Sequence, residues 1–213
     1  MGRKRNPEKS KQLILDVSRT LFLEKGFDET SIQDIIDELG GLTKGVIYHY
    51  FDSKADILAT ILNENSDNVK KYEIEGQNGF DKIQNLLKNS FGNNECQDFC
   101  FMARITSGSA EVLGNRFHYH FNYFEPIINN LVIEGVQDGS INTDYPNEVA
   151  ELSVLLIKIW LSSEVNDRTE LELCRRVSFI RLTLDTIGVP LISDEIENQM
   201  NYFFRVLKTE EVY

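Results

Sequence analysis

A short stretch of this chain carries four residues suited to contact with phosphate groups and base edges. Lys44 supplies a positive charge, Tyr48 and His49 supply hydrogen-bond donors, and Gly45 leaves a gap through which another backbone can approach. At helical spacing these four residues share one face. The opposite face is apolar and consists of Val46, Ile47, Tyr50 and Phe51. We therefore expect a short helix that buries one side and presents the other to a nucleic acid.

Two helices are predicted before this segment. The first covers about residues 8–25, where apolar residues recur at helical spacing, and Gly26 is a natural C-terminal stop. The second begins at Thr30, whose hydroxyl would form a capping box with Gln33. These two helices would supply the surface on which the apolar face of the third helix packs.

The turn and the caps around the third helix complete a recognisable supersecondary layout. Gly40-Gly41 permits a tight turn, because glycine tolerates a left-handed backbone. Thr43 begins the third helix, where exposed backbone N–H groups also favour phosphate, and Ser53 caps a fourth helix that starts near Lys54. Two short helices joined by a glycine turn, with the second placed in the major groove, are typical of a helix-turn-helix.

Residues 8–60 resemble the DNA-binding domain of TetR-type transcriptional regulators. The matching residues are Gly26-Phe27, Thr30-Ser31-Ile32, Asp34-Ile35, Leu42-Thr43-Lys44-Gly45, Ile47-Tyr48-His49-Tyr50-Phe51 and Ser53-Lys54. The resemblance implies a DNA-reading unit over about residues 31–51. The positions that correspond to DNA-facing residues are Ser31, Thr43, Lys44, Gly45, Tyr48, His49, Tyr50 and Lys54, with Tyr50 the weaker match. The turn Gly40-Gly41-Leu42-Thr43 is one residue longer than is usual in the family, and Ile36 replaces a usual alanine.

The distribution of charge agrees with a DNA-binding end on an acidic protein. The chain has a formal net charge of −12, but residues 1–60 hold 9 Lys/Arg against 10 Asp/Glu, and the remaining 153 residues hold 13 against 24. Nearly all of the excess negative charge therefore lies outside residues 1–60. Such a body would repel DNA except at the N-terminal end.

By the same resemblance, residues 61–213 form a larger helical domain for effector binding and dimerisation, and residues 1–60 form a three-helix helix-turn-helix domain. The apolar periodicity independently predicts an all-α fold. The predicted helices cover residues 79–91, 97–113, 117–137, 146–165, 169–187 and 194–208, separated by breaks such as Gly114-Asn115.

The helices over 146–165 and 169–187 are the candidates for dimerisation. In the family, the last two long helices pair with those of a second copy in a four-helix bundle. The first helix carries an apolar stripe of Val149, Leu152, Leu155, Leu156, Ile159 and Trp160. The second carries Leu171, Cys174, Val177, Ile180, Leu184 and Ile187. Both stripes are wide enough for burial on two sides, although packing within one chain would also explain them.

An aromatic cluster over residues 117–124 is the candidate effector pocket. A mixture of aromatic and polar side chains would hold a flat or apolar molecule with a few polar anchors. The candidate ligand-binding residues are Phe99, Met102, Arg104, Phe117, His118, Phe121, Asn122, Phe124 and Trp160. Ordinary core packing at helical spacing is the alternative for each of them.

Several classes of protein are disfavoured. The sequence has no phosphate-binding loop, nucleophile elbow or zinc-hydrolase motif, so we expect no enzyme, no catalytic residues and no cofactor. Cys96, Cys100 and Cys174 lack Cys-x-x-Cys spacing, and we expect no metal site. No segment has the length and apolarity of a membrane span or a signal peptide, so we expect a cytoplasmic protein.

These observations predict a sequence-specific DNA-binding transcriptional regulator. We expect a homodimeric repressor that a small-molecule effector of unknown identity releases from a palindromic operator in double-stranded DNA. Two alternatives stay open. One is a helical module that binds small molecules or proteins and uses the helix-turn-helix only for packing, and the other is a DNA-binding activator without a small-molecule ligand.

Overall fold

The computed structural model describes residues 7–41, 43–61, 74–91, 105, 109–162 and 167–209, and every regular element within them is helical. The α-helices are α1 (Pro7–Lys25), α2 (Ile32–Leu39), α3 (Lys44–Tyr50), α4 (54–61), α5 (Gly79–Phe91), α6 (Ala110–Tyr119), α7 (Glu125–Asp138), α8 (Pro146–Val154), α9 (Glu170–Thr186) and α10 (Asp194–Thr209). A π-helical segment, π1 (His120–Phe124), joins α6 to α7, and a second, π2 (Leu155–Trp160), extends α8. The predicted all-α fold is confirmed for this part of the chain.

Helices α1 to α4 enclose one core, and we call this unit the head. Its centre is formed by large apolar side chains: Ile14, Leu15, Phe22, Phe27, Ile35, Ile47, Phe51, Ile57, Leu58 and Ile61. Gly26 ends α1 with a positive φ of 87°, which allows Phe27 to turn back and pack edge-on against Phe22 at 5.2 Å between ring centroids. Burial of this cluster holds α2 and α3 at a fixed angle to α1.

The predicted cap of α2 is wrong by one residue. Ser31, not Thr30, is the N-cap, and Asp34, not Gln33, completes the capping box. Thr30 is buried, and its hydroxyl donates hydrogen bonds to the backbone oxygens of Leu21 and Gly26. Thr30 therefore fastens the α1–α2 turn to the end of α1.

The remaining helices form the body, which has a larger core of its own. Helices α5, α7, α8, α9 and α10 contribute to it, and buried members include Leu87, Ile128, Val154, Val177 and Phe204. The predicted break at Gly114-Asn115 is wrong, because both residues lie within α6. The predicted helix over 97–113 falls largely outside the described residues.

Close packing at one crossing in the body requires glycine. A Cβ atom at Gly79 would overlap the backbone nitrogen of Gly135 and the backbone oxygen of Leu131. The amide of Gly79 also donates to the Asp138 carboxylate at 2.8 Å. Helix α5 thus begins in direct backbone contact with α7.

Helix α6 connects the two cores. Near its N-terminus, Val112 is fully buried in the head core, together with Ile105. Phe124, the last residue of π1, and Ile128 of α7 belong to the body core. We call the continuous stretch of α6, π1 and α7 the rod. Because its side chains pack in both cores, a displacement of the rod would move residues of the head and of the body. No helix in the described ranges is long and apolar enough to cross a membrane.

Candidate DNA-binding surface

Helix α3 has the two faces that its sequence predicts. Ile47 and Phe51 are buried in the head core, and Val46 and Tyr50 are partly buried against it. Lys44, Gly45, Tyr48 and His49 are exposed, and Tyr48 retains 46% of its surface. The Lys44 ammonium lies 5.7 Å from the centroid of the Tyr48 ring, so the cation and the phenol form one outward patch. The predicted exposure of this face is confirmed.

The patch has open space at its N-terminal end. A Cβ atom at Gly45 would meet only the Thr43 hydroxyl, at 3.9 Å, so the helix backbone can be approached closely there. Thr43 is the exposed N-cap of α3, and its hydroxyl makes no capping hydrogen bond. Both residues therefore lie where a ligand on the outer face of α3 would contact them.

Ser31 is exposed at the start of α2, but its side chain has partners within the head. The Ser31 amide donates to the Asp34 carboxylate at 2.8 Å, and the Asp34 amide donates to the Ser31 hydroxyl at 3.1 Å. Lys25 donates to the same carboxylate at 2.8 Å. Hydrogen bonds from Lys25 and Ser31 hold the pKa of Asp34 well below its usual range. The capping interaction therefore holds the Ser31 side chain beside the Asp34 carboxylate, and Lys25 pairs with the negative charge of that carboxylate.

Lys54, another position that corresponds to a DNA-facing residue, also has partners within the head. Its ammonium donates to the backbone oxygens of Phe27 and Asp28 and lies 4.3 Å from the centroid of the Phe27 ring. These three contacts with the α1–α2 turn give Lys54 a structural role, which the sequence did not reveal. Tyr50 is half-buried, with its ring 5.0 Å from the His49 ring.

Within the part of the chain that the structure describes, the candidate effector-binding residues do not converge on one site. Phe99, Met102 and Arg104 lie outside the described residues. Phe117, His118 and Asn122 are exposed, and Phe117 stacks on the half-buried Phe121 at 4.3 Å between ring centroids. Trp160 is half-buried beneath the Arg176 guanidinium, whose central carbon lies 4.5 Å from the centroid of the indole.

Among the described members of that set, Phe124 lines a hollow in the body. The hollow lies between α5, α7, α8 and π2, is half open to solvent, and encloses about 10 Å³, which is room for about one water molecule. Its wall is mostly aliphatic and aromatic, with Ile83, Leu87, Phe124, Ile128, Val154 and Ile157 among its members. Lys158 supplies the basic residue of this wall.

The exposed apolar stripe on α9 shares only Leu171 with the stripe predicted from the sequence. The predicted stripe points inward for the most part, because Val177, Ile180 and Leu184 are buried in the body's own core. Leu171, Phe179 and Leu182 form a second stripe on the opposite side and keep 69%, 54% and 63% of their surface exposed. Leu171 lies eight residues before Phe179, a spacing that keeps both on one helical face and that the sequence could have revealed.

Comparison with known proteins adds independent findings. A family model described as bacterial regulatory proteins, tetR family, matches residues 14–61. The HTH-type transcriptional repressor KstR2 of Rhodococcus jostii is 28% identical over 144 residues, which cover 64% of this chain and 70% of that protein.

Solved structures extend the similarity to the body. A transcriptional regulator of the TetR family from Agrobacterium tumefaciens superposes with a TM-score of 0.59 at 19% identity, covering 86% of this chain and 100% of the other. FadR of Bacillus subtilis, solved in complex with stearoyl-CoA, gives a TM-score of 0.52 at 16% identity, covering 92% and 96%. The matched residues include α2, α3 and the exposed patch on α3. The head of this chain therefore carries the N-terminal domain of the tetR family of bacterial regulatory proteins, and the body shares the fold of the solved structures.

Proposed function

We propose that this protein is a transcriptional repressor that binds double-stranded DNA through α3. The observation that carries the proposal is the outward patch of Lys44, Gly45, Tyr48 and His49 on a helix whose other face is locked into the head core. A cation, two hydrogen-bond donors and a gap suit contact with phosphates and base edges in the major groove. Similarity to the repressor KstR2 supports repression as the outcome of binding.

A homodimer would place two such patches on one face of the duplex. The exposed stripe of Leu171, Phe179 and Leu182 supports this arrangement, because apolar side chains that project from one helix favour burial against a second copy. Two α3 helices about 34–36 Å apart would read successive major grooves of a palindromic operator.

Release by a small molecule is supported by the connection between body and head. Helix α6 carries Val112 in the head core and leads through π1 to Phe124 at the hollow. A molecule that displaces side chains around the hollow would thus move a rod that is seated in the head. FadR of Bacillus subtilis, which has the same fold, was solved with stearoyl-CoA, and this supports the binding of a small molecule by the body.

In vitro selection of bound DNA from a random library tests the proposal. The expected product is a palindromic site, and binding measured by fluorescence anisotropy should weaken steeply with salt, with a log–log slope of about −0.9 per contacted phosphate. Tyr48→Ala should lower the affinity at least ~10-fold, a loss in the range expected for a base contact. Lys88→Ala is the matched control, because Lys88 pairs with Glu195 in the body. A flat salt response together with unaltered binding by Tyr48→Ala would contradict the proposal.

A further inference from the structure

The α1–α2 turn (residues 26–31) is attached by polar side chains to the first residues of two other helices. The hydroxyl of Ser109, the N-cap of α6, donates to the Asp28 carboxylate at 2.8 Å. The Lys54 ammonium, at the start of α4, donates to the backbone oxygens of Phe27 and Asp28. The turn therefore connects α6, which leads into the body, with the helices of the head.

The start of α6 is held in the head in two different ways. Ile105 and Val112 are buried in the head core, but apolar burial has no preferred direction and by itself allows a helix to tilt or turn. A hydrogen bond, in contrast, weakens steeply away from its preferred distance and angle. Ser109 is only 5% exposed, and its hydroxyl also accepts from the Val112 amide, so its position is tied to that of the helix. The Ser109–Asp28 hydrogen bond therefore sets the angle at which α6 meets the turn.

The α1–α2 turn passes its orientation on to the DNA-reading helix. Thr30 fastens the turn to the end of α1 through the hydrogen bonds of its buried hydroxyl. Ser31 follows directly as the N-cap of α2, and its capping box fixes the first turn of that helix. Helices α2 and α3 are joined in one core by Ile35 and Ile47, which are both fully buried. A change of angle at Asp28 would therefore turn the head as one unit, together with α3.

Small rotations of the head are large on the scale of DNA. Helix α2 has 8 residues and therefore spans about 12 Å. A rotation of about 10° at the turn would thus move the far end of α2, which leads into α3, by about 2 Å. In a symmetric dimer the two heads would move in opposite senses, so the separation of the two α3 helices would change by about 4 Å. Since one base pair rises by about 3.4 Å, such a rotation is sufficient to change the accepted spacing by one base pair.

We propose that Asp28, through its hydrogen bond with Ser109, is a positioning residue that sets the half-site spacing accepted by the dimer. This role rests on the proposed DNA-binding homodimer and adds the contact that determines which operators fit it. Without the hydrogen bond, burial of Ile105 and Val112 keeps α6 in place, while the head turns over a wider range. Asp28 itself is exposed, so its substitution leaves the head core intact. Loss of the bond therefore broadens the spacing preference and leaves each head able to bind its half-site.

Binding of the purified full-length protein to a series of duplexes tests this role. The duplexes carry the half-sites found by in vitro selection at the preferred spacing, at spacings one and two base pairs shorter or longer, and as a single half-site. Fluorescence anisotropy at one salt concentration supplies the affinities, and the measured quantity is the ratio of affinities between duplexes. A uniform change in the charge of the head leaves this ratio unaltered, because it affects every duplex alike.

The variants separate the hydrogen bond from the charge of the turn. Asp28→Ala and Ser109→Ala each remove the bond, whereas Asp28→Asn keeps a side-chain oxygen that accepts it and serves as the conservative rescue. Glu29→Ala is the matched control, because Glu29 is the neighbouring exposed carboxylate of the same turn. Circular dichroism verifies folding, and sedimentation equilibrium verifies that each variant keeps the oligomeric state of wild type. Should the loss of the α6 cap prevent Ser109→Ala from folding, the variants at the exposed Asp28 still decide the result.

We expect wild type to bind the preferred spacing at least ~10-fold more tightly than either neighbouring spacing, because a misplaced half-site loses the gain from simultaneous engagement. In Asp28→Ala and Ser109→Ala this ratio should fall to about 3-fold or less, while the single half-site is bound as by wild type. Asp28→Asn and Glu29→Ala should keep the wild-type ratio. An unchanged ratio in Asp28→Ala, a lost ratio in Glu29→Ala, or equal affinities of wild type for all spacings would each overturn the assignment.

Failure of this role is distinguishable from failure of the proposed function. If wild type binds the palindrome and the half-site but Asp28→Ala keeps the wild-type ratio, the protein remains a DNA-binding regulator and only the role of Asp28 is lost. If Asp28→Ala weakens binding to the half-site as much as binding to the preferred palindrome, its effect is on the head itself and the assignment is wrong. Absence of wild-type binding to both kinds of duplex would overturn the proposed function and the role of Asp28 together.

Discussion

The Ser109 hydroxyl donates a hydrogen bond to the Asp28 carboxylate at 2.8 Å and so joins the start of α6 to the α1–α2 turn. The same hydroxyl accepts from the Val112 amide at 3.3 Å and caps α6. Two turns of helix further on, Arg116 fixes α6 to π2. The rod between head and body is therefore held at both ends by polar contacts with defined partners.

Asp28→Ala should weaken the attachment of α6 to the head. Ser109→Ala should cost more, because it removes the link and the cap together. A double-mutant cycle in urea unfolding should give a coupling energy of about 1 kcal/mol for the pair, since the hydrogen bond joins a charged acceptor to a buried hydroxyl. Strictly additive effects of the two substitutions would show that the bond contributes nothing in solution.

Substitution of Lys54 should affect the stability of the head, whereas substitution of Lys44 should affect DNA binding. Lys54→Met removes the donor to the Phe27 and Asp28 backbone oxygens and should lower the free energy of unfolding by about 1–2 kcal/mol. Lys44→Met removes an exposed ammonium and should leave stability unchanged while it weakens DNA binding and makes the salt slope shallower by about one phosphate. Chemical denaturation and anisotropy on selected DNA measure the two effects. If Lys44→Met destabilised the head as much as Lys54→Met, this division of roles would be wrong.

Local patterns in the sequence were sufficient for α3 and insufficient for the caps. The faces of α3 follow from spacing alone, since apolar and polar residues alternate at the helical period. For α2, however, Thr30 with Gln33 and Ser31 with Asp34 have the same spacing. The choice between them depends on the Leu21 and Gly26 backbone oxygens, which bind the Thr30 hydroxyl.

Long-range contacts explain the features that the sequence could not reveal. Arg116 and Lys158 are 42 residues apart and meet only because α6 packs beside π2. On α9, apolar residues face both the body core and the surface. The packing of the body decides that Val177 is buried and Phe179 is exposed. Gly114 was predicted as a break because glycine disfavours a helix locally, but the burial of Val112 and Arg116 on either side keeps the helix intact.

Two glycines in the body should respond in opposite ways to alanine. Gly114→Ala places a methyl group in open space within α6 and should stabilise the protein by up to about 1 kcal/mol, because alanine favours a helix. Gly79→Ala forces a Cβ into the backbone of α7 and should destabilise it by at least ~2 kcal/mol. Thermal and urea unfolding measure both. A neutral Gly79→Ala variant would mean that α5 and α7 cross less closely than described.

His120 should make stability depend on pH in the weakly acidic range. Its pKa in the folded protein lies below the value of about 6.5 expected in the unfolded chain, so the unfolded chain takes up a proton first as the pH falls. The free energy of unfolding should therefore decrease as the pH drops below about 6.5, by up to about 1.4 kcal/mol per pH unit from this group. His120→Gln should reduce that slope, and the stabilities of both proteins at pH 8, where the imidazole is neutral in either state, serve as the reference. Parallel pH curves for the two proteins would show that His120 is not a buried neutral imidazole in the folded protein.

The outward stripe on α9 should determine the oligomeric state. Leu182→Glu places a charge in the stripe of Leu171, Phe179 and Leu182, where burial against a second copy would leave that charge without water. Sedimentation equilibrium should give twice the chain mass of 24.5 kDa for wild type and the chain mass for the variant. Leu13→Glu is the matched control, because Leu13 is an exposed leucine of the head with 46% of its surface accessible, and it should stay dimeric. Monomeric Leu182→Glu should also lose affinity for a palindromic site far more than for a half-site, since only a dimer engages both halves at once. A variant that remains dimeric would place the interface on another surface of the body.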